Sequence, residues 1–136
     1  MKKFLSLLAF IALATVGFSQ PGSKSNEPKE KPKYEMKQYW FVMLTRGKDR
    51  DKITDTAVIN KLQAGHMANI QAMADMGKLI VAGPFGDDGN WRGIFIFDAA
   101  SKEEVEKLLQ TDPAIKAGRM DYEIHPWWTA KGTVFK

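Results

Sequence analysis

Along this chain, apolar residues follow the pattern of strands in some segments and that of helices in others. Few folds have these elements in the order found here. Runs rich in aromatic and β-branched residues predict four strands, at 38–45, 78–84, 91–98 and 119–127. A helical spacing of apolar residues separates the first strand from the second and the third from the fourth. This β-α-β-β-α-β order predicts an α+β fold of the ferredoxin-like type, a sandwich in which two helices cover one face of a four-stranded antiparallel sheet.

The first predicted helix carries one unexpected residue on its apolar stripe. We expect the helix to begin at Thr54 or Asp55, since either side chain can cap the first turn, and to end at Gly77. Its inward-facing positions recur at steps of three and four residues and include a histidine: Ile59, Leu62, His66, Ile70 and Met73. An aliphatic residue would pack better than a histidine at this position, so His66 needs an explanation.

The predicted strands are apolar on both faces, which has a consequence for assembly. Both alternating sets of side chains in 39–44 are apolar, and 79–82 is apolar throughout. A sheet with two apolar faces needs a cover on each. Because no third helix is predicted, we expect the sheet of a second copy to cover the open face in a homodimer. The alternative is a monomer whose C-terminal tail shields that face.

The N-terminus has the three-part layout of a secretory signal peptide. A positive head (1–3) precedes a nearly unbroken apolar run of 13 residues (4–16), followed by small residues before a cut ahead of Gln20. The run is shorter than the roughly 20 residues that cross a bilayer. We therefore predict a signal peptide over 1–19, a periplasmic or secreted protein, and no stable membrane anchor after cleavage. A cut after Ala14 and an uncleaved anchor are the alternatives.

The composition of the segment that follows is typical of a linker. Residues 20–37 contain three prolines and eight charged side chains and almost no apolar ones, so we expect a flexible linker. The folded domain is then expected over 38–132, with a short C-terminal tail over 133–136.

Charge and composition exclude several classes of function. The chain has a net charge of +4, but residues 38–136 hold thirteen basic and thirteen acidic side chains. A balanced domain argues against nucleic acid as a partner. The chain contains no cysteine, which excludes disulfides, thiolate nucleophiles and iron–sulfur clusters. Its two histidines lie on different elements and no cofactor motif is present, so we expect neither a metal nor a cofactor.

The two histidines are the candidates for proton transfer. The best carboxylate partner for His66 is Asp112, since the fold places both helices on the same face of the sheet. The alternatives are a core imidazole bonded to a backbone carbonyl, and a turn role for Asp112 before Pro113. His125 and Trp127, late in the last strand, are candidate ligand contacts. His125 could instead lie exposed at the end of the strand, and Trp127 could instead close the edge of a core or an interface.

An ordered set of short motifs resembles the YCII-related (YciI-like) family over residues 38–132. The motifs are His66-Met67-Ala68-Asn69-Ile70, Gly77-Lys78-Leu79, Ala82-Gly83-Pro84-Phe85, Asp112-Pro113-Ala114, Ala117-Gly118-Arg119 and His125-Pro126-Trp127. The resemblance implies a dimeric α+β barrel of ferredoxin-like subunits, with His66 and Asp112 as its active-site pair. Most family members have no established reaction, although one branch includes a dehydrochlorinase acting on chlorinated hydroxyhydroquinones. Typical members look cytoplasmic, so the predicted signal peptide is a departure.

Two functions of different class follow from these residues. The first is a cofactor-independent lyase or isomerase in which His66 moves a proton on a small, cyclic or hydroxylated molecule. Asp112 would orient the imidazole, and Gly83 and Pro84 would shape the pocket wall. The second is a non-catalytic dimeric module that binds a small ligand or a partner and keeps the pair as a buried polar contact. A solvent-accessible pocket with the pair at its floor favours the enzyme.

Overall fold

The computed structural model of the chain describes residues 33–134. The signal peptide predicted at 1–19, most of the predicted linker and the end of the tail lie outside the described residues. The elements follow in the order β1 (Met36–Arg46), a 3₁₀ turn (Arg50–Lys52), α1 (Thr56–Asp75), β2 (Leu79–Pro84), β3 (Trp91–Phe97), α2 (Lys102–Leu109), α3 (Pro113–Lys116) and β4 (Met120–Ala130). Apart from the short α3, this is the predicted order.

The four strands form one antiparallel sheet in the order β2-β3-β1-β4. Of the two longest strands, β1 lies inside the sheet and β4 lies at its edge. They pair without interruption from Met36 opposite Ala130 to Arg46 opposite Met120. β1 therefore begins two residues inside the predicted linker, because β4 extends far enough to pair with it. With the helices, this sheet confirms the ferredoxin-like α+β fold.

Side-chain caps define where the helices begin. Asp55 is the N-cap of α1, since its carboxylate accepts hydrogen bonds from the backbone N–H groups of Ala57 (2.7 Å) and Val58 (3.4 Å). At the other end, Gly77 adopts the left-handed conformation with a φ of +68°. The sequence left Thr54 and Asp55 as alternative N-caps, and the structure shows that Asp55 is the cap.

The hydrophobic core lies between the helices and one face of the sheet. The buried residues that form it come from every β-strand except β4 and from all three helices: Val42, Leu44, Met73, Leu79, Phe95, Phe97, Val105, Leu109 and Ile115. Among the residues between 33 and 134, no helix is both long and apolar enough to cross a membrane.

The centre of the opposite face of the sheet is also apolar. Its centre is formed by Phe41 and Met43 of β1, which are paired with Ile96 and Ile94 of β3, and all four are at least partly buried. No described helix lies on this face, because α1, α2 and α3 all contribute to the core on the other side.

Candidate active site

Asp112 occupies the junction between two helices. The sequence predicts that Asp112-Pro113 stops the second helix, and α2 does end at Leu109. The same dipeptide then starts α3, because a proline at the first helical position loses no intrahelical hydrogen bond. Oδ1 of Asp112 caps this turn by accepting a hydrogen bond of 2.8 Å from the N–H of Ala114. Capping holds the carboxylate in one orientation.

The second carboxylate oxygen of Asp112 binds His66. Packing of α1 against α3 brings Nδ1 of His66 to 2.6 Å from Oδ2 of Asp112. The Asp112 side chain is fully buried and that of His66 is 10% exposed. The imidazole also lies roughly parallel to the ring of Phe95, with centroids 6.1 Å apart. The structure therefore combines both roles considered for Asp112, since it is a turn residue and a partner of His66.

The remaining nitrogen of His66 is the chemically available one. Because Nδ1–H donates to the carboxylate, the neutral imidazole carries its lone pair on Nε2. Nε2 forms no hydrogen bond with a described residue, and no fully buried side-chain nitrogen or oxygen among residues 33–134 lacks a partner. Nε2 therefore retains access to the cavity that His66 lines. A lone pair held in this way can accept a proton from a bound molecule.

A cavity of about 340 Å³ lies in front of His66. Gly83 and Pro84, the residues predicted to shape the pocket wall, both line it. Part of the remaining wall is apolar, consisting of Leu44, Met67, Ile70, Ala82, Phe95, Ala114 and Met120. The volume is at the small end of the range for small-molecule sites. The cavity is therefore large enough for a small organic molecule.

Three arginines that the sequence analysis did not select line the same cavity. Arg50 belongs to the 3₁₀ turn, Arg92 to β3, and Arg119 precedes β4. No carboxylate from residues 33–134 is part of the cavity wall, since Asp112 lies behind His66. The overall charge balance of the domain does not indicate this local excess of positive charge, and no sequence spacing links residues 50, 92 and 119. The excess becomes visible only when the fold brings the three arginines together.

His125 and Trp127 lie outside this cavity. They are on β4, and His125 pairs with Phe41 of the open face. Its side chain is 58% exposed, and its Nε2 lies 3.5 Å from a carboxylate oxygen of Glu123. Trp127 borders a depression of about 60 Å³ beside Tyr39. The structure thus brings together four of the six residues singled out as site candidates, and a ligand contact by His125 or Trp127 stays a prediction.

The described residues contain no cluster of three His, Asp or Glu side chains that could hold a metal ion. The polar residues that line the cavity are His66, which is backed by Asp112, and Gln63, Arg50, Arg92 and Arg119. Such a set can bind an anion and move a proton.

The fold and the cavity define a class: small ferredoxin-like α+β proteins in which a buried carboxylate holds a histidine at the wall of a cavity of small-molecule size. Within it, the chain belongs to the YCII-related domain family, whose model matches residues 40–128. The resemblance found in the sequence motifs is confirmed.

A comparison with curated protein sequences gave no match. One solved structure that is similar to the chain is the 5-chloro-2-hydroxyhydroquinone dehydrochlorinase TftG from Burkholderia phenoliruptrix AC1100, in complex with 2,5-dihydroxybenzoquinone. It is 24% identical in sequence, with a TM-score of 0.47, and the match covers 65% of this chain and 92% of that chain.

Proposed function

We propose that the protein is a cofactor-independent lyase or isomerase that moves a proton on a small, cyclic or hydroxylated molecule through His66 and Asp112. The observation that carries this proposal is the difference in environment between the two nitrogens of His66. Nδ1 is bound to a fully buried carboxylate, and Nε2 has access to a cavity of about 340 Å³. A non-catalytic polar contact would not require the second nitrogen to be accessible.

In the proposed reaction, Nε2 of His66 accepts a proton from a C–H or O–H group of the substrate. The electron pair left behind forms a new double bond. In an isomerisation, the same nitrogen returns the proton to another atom; in an elimination, a leaving group departs with its bonding pair and the proton passes to it or to water. Asp112 keeps the neutral imidazole in the required tautomer and stabilises the imidazolium. A positioned base of this kind contributes about 10²–10⁴ to the rate.

Deuterium exchange tests the proton transfer even when the product is unidentified. A panel of small hydroxylated cyclic molecules, some with a halide leaving group, would be incubated with the full chain in D₂O and followed by NMR. We expect the wild type to accelerate C–H exchange or elimination for at least one member. His66→Ala should lower that rate about 10²–10⁴-fold.

An exposed residue of α1 supplies the control for this experiment. Lys61→Ala changes a side chain that does not line the cavity and should leave the rate unchanged. Two results would contradict the proposal: no member of the panel reacts, or His66→Ala and the wild type react at the same rate. Either one favours the ligand-binding module, in which the imidazole has no proton to move.

We also propose that the protein is a homodimer in which the open faces of two sheets pack together. The support is the apolar centre of that face, formed by Phe41, Met43, Ile94 and Ile96, over which no described helix lies. Membership of the YCII-related family agrees with this assembly, since the family resemblance implies a dimeric barrel. Burying such a face in a symmetric interface removes its apolar side chains from water.

Export to the periplasm or the medium is a further proposal, and it rests on the layout of residues 1–19 alone. Intact-mass measurement of the exported protein should give a chain that begins at Gln20. A chain that begins at Met1 would overturn it.

A further inference from the structure

Arg50 and Arg119 line a cavity whose wall includes no carboxylate from the described residues. Arg92, the third arginine of the wall, is already paired, with Nη1 2.6 Å from Oδ1 of Asp88. Neither Arg50 nor Arg119 has a carboxylate within 4 Å or a side-chain hydrogen bond to any residue in the described range 33–134. Both side chains are nevertheless partly buried. Partly buried guanidinium groups that lack an internal partner are suited to an external one.

Backbone contacts hold these two arginines as neighbours. The N–H of Gly47 donates to the carbonyl of Arg119 (3.1 Å), and the N–H of Asp49 donates to that of Gly118 (2.9 Å). The approach is so close that a β-carbon at residue 47 would lie 2.1 Å from the carbonyl oxygen of Gly118. Only a glycine fits there. The segments that carry Arg50 and Arg119 are therefore fixed to each other, and the positive end of the cavity is preformed.

The electrostatics of Arg50 agree with this arrangement. Partial burial lowers the pKa of its guanidinium group. The positive charges of Arg119, Arg92 and Arg46 lower that pKa further. The carboxylate of Asp88 acts in the opposite direction but is the least of these influences. Because an arginine stays protonated in spite of such a shift, the guanidinium groups repel one another until an anion lies between them.

We infer that Arg50 and Arg119 form an oxyanion-binding subsite, so that the ligand of this cavity is a small organic anion with a carboxylate or phosphate group. The anionic group binds at the arginine end, and the apolar wall formed by residues such as Leu44, Ile70 and Phe95 contacts the rest of the molecule. The reacting atom then faces Nε2 of His66, a part of the inference that rests on the proposed function. The binding of the anion does not depend on it.

Three ring compounds that differ in one substituent test the subsite: benzoate, phenyl phosphate and the neutral benzamide. Calorimetric titration of the full chain should show that benzoate or phenyl phosphate binds and that benzamide binds at least about tenfold more weakly. The preferred anion distinguishes a carboxylate from a phosphate ligand. Equal affinity for all three compounds, or binding of none, would overturn the inference.

Substitutions of the arginines give the second measurement. Arg50→Gln and Arg119→Gln should each weaken binding of the preferred anion by about tenfold or more, because each removes a charged hydrogen-bond donor. Lys61→Gln is the matched control, since it removes one positive charge from an exposed position of α1 that does not line the cavity. Wild-type affinity in both arginine variants would contradict the subsite.

The His66→Ala variant separates this inference from the proposed function. It removes the proposed base and leaves both arginines, so the preferred anion should still bind more tightly than benzamide in this variant. If both arginine variants keep wild-type affinity while exchange depends on His66, the subsite is wrong and the enzyme proposal stands. If affinity depends on the arginines while exchange does not depend on His66, the subsite stands and the enzyme proposal is wrong.

Discussion

Gly65 and Pro113 touch so closely that a β-carbon added at residue 65 would lie 2.5 Å from Cγ of the proline ring. Each residue is adjacent in sequence to one member of the hydrogen-bonded pair, Gly65 to His66 and Pro113 to Asp112. The missing side chain at residue 65 therefore allows α1 to approach α3 as closely as the 2.6 Å contact between Nδ1 and Oδ2 requires.

Gly65→Ala should destabilise the protein although alanine is the better helix former. The intrinsic gain of about 1 kcal/mol is opposed by the overlap with a proline ring, and overpacking of this kind costs about 1–3 kcal/mol. We expect a lower midpoint in urea and a weaker His66–Asp112 hydrogen bond, visible in the imidazole NMR signals. Gly86→Ala is the control, since a β-carbon at residue 86 meets no atom within 4 Å. A Gly65→Ala variant as stable as the Gly86→Ala variant would contradict the argument.

Asp112→Ala should cost about 1–3 kcal/mol of unfolding free energy, because the buried imidazole and the N–H of Ala114 both lose an acceptor. Asp112→Asn retains an oxygen that can cap Ala114 and should cost less. It should still change the tautomer of His66, because an amide no longer requires the proton to be on Nδ1. Nitrogen-15 NMR reads the tautomer directly, with His125 as the internal reference in a chain of two histidines.

The exposed Asp87 provides the control for these substitutions. Asp87→Ala should be close to neutral. Equal stability of Asp112→Ala and Asp87→Ala would show that the buried pair does not stabilise the fold.

Ile94→Lys should disrupt the proposed dimer. A charged side chain at the centre of the open face would have to be buried without a partner in the interface. Light scattering should give twice the mass of one chain for the wild type and the mass of one chain for this variant. Val58→Lys makes the same change at an exposed position of α1, 44% accessible, and should remain dimeric. A monomeric wild type would contradict the proposed assembly.

Glu104 gives a pH-dependent contribution to stability. Its carboxylate lies 2.7 Å from Nζ of Lys78 and accepts a hydrogen bond of 2.8 Å from the N–H of Ala100. These contacts, the one with Lys78 foremost, lower the pKa of Glu104 below its usual value of 4.5. Because the pKa is lower in the folded state, the contribution is complete above the unfolded value and is lost as the pH falls through the folded one.

Glu104→Gln should therefore lower the melting temperature at neutral pH and have a smaller effect in acid, as the pH falls through the folded-state pKa and the wild-type side chain becomes protonated. Glu106→Gln is a suitable comparison, because Glu106 contacts a lysine only at 3.5 Å on the surface of α2. A difference between wild type and Glu104→Gln that is the same at both pH values would contradict the assignment.

The sequence determined the order of strands and helices, because apolar spacing reflects the local geometry of each element. It also identified His66, whose polarity conflicts with its place on an apolar stripe, and Asp112 as its best partner. The cap at Asp55 was one of two alternatives. Only packing decided that Asp112 ends one helix, starts the next and holds His66 at the same time.

The arginine end of the cavity and the contact between Gly65 and Pro113 could not be read from the sequence. Arg50 and Arg119 are 69 positions apart and meet through backbone hydrogen bonds between distant segments. Gly65 lies inside a helix, and the need for a glycine at this position comes from the proline ring that packs against it. Local patterns therefore determined the elements and the candidate histidine. The tertiary structure decided which distant groups surround it, because charge and shape in a cavity depend on contacts that no local spacing records.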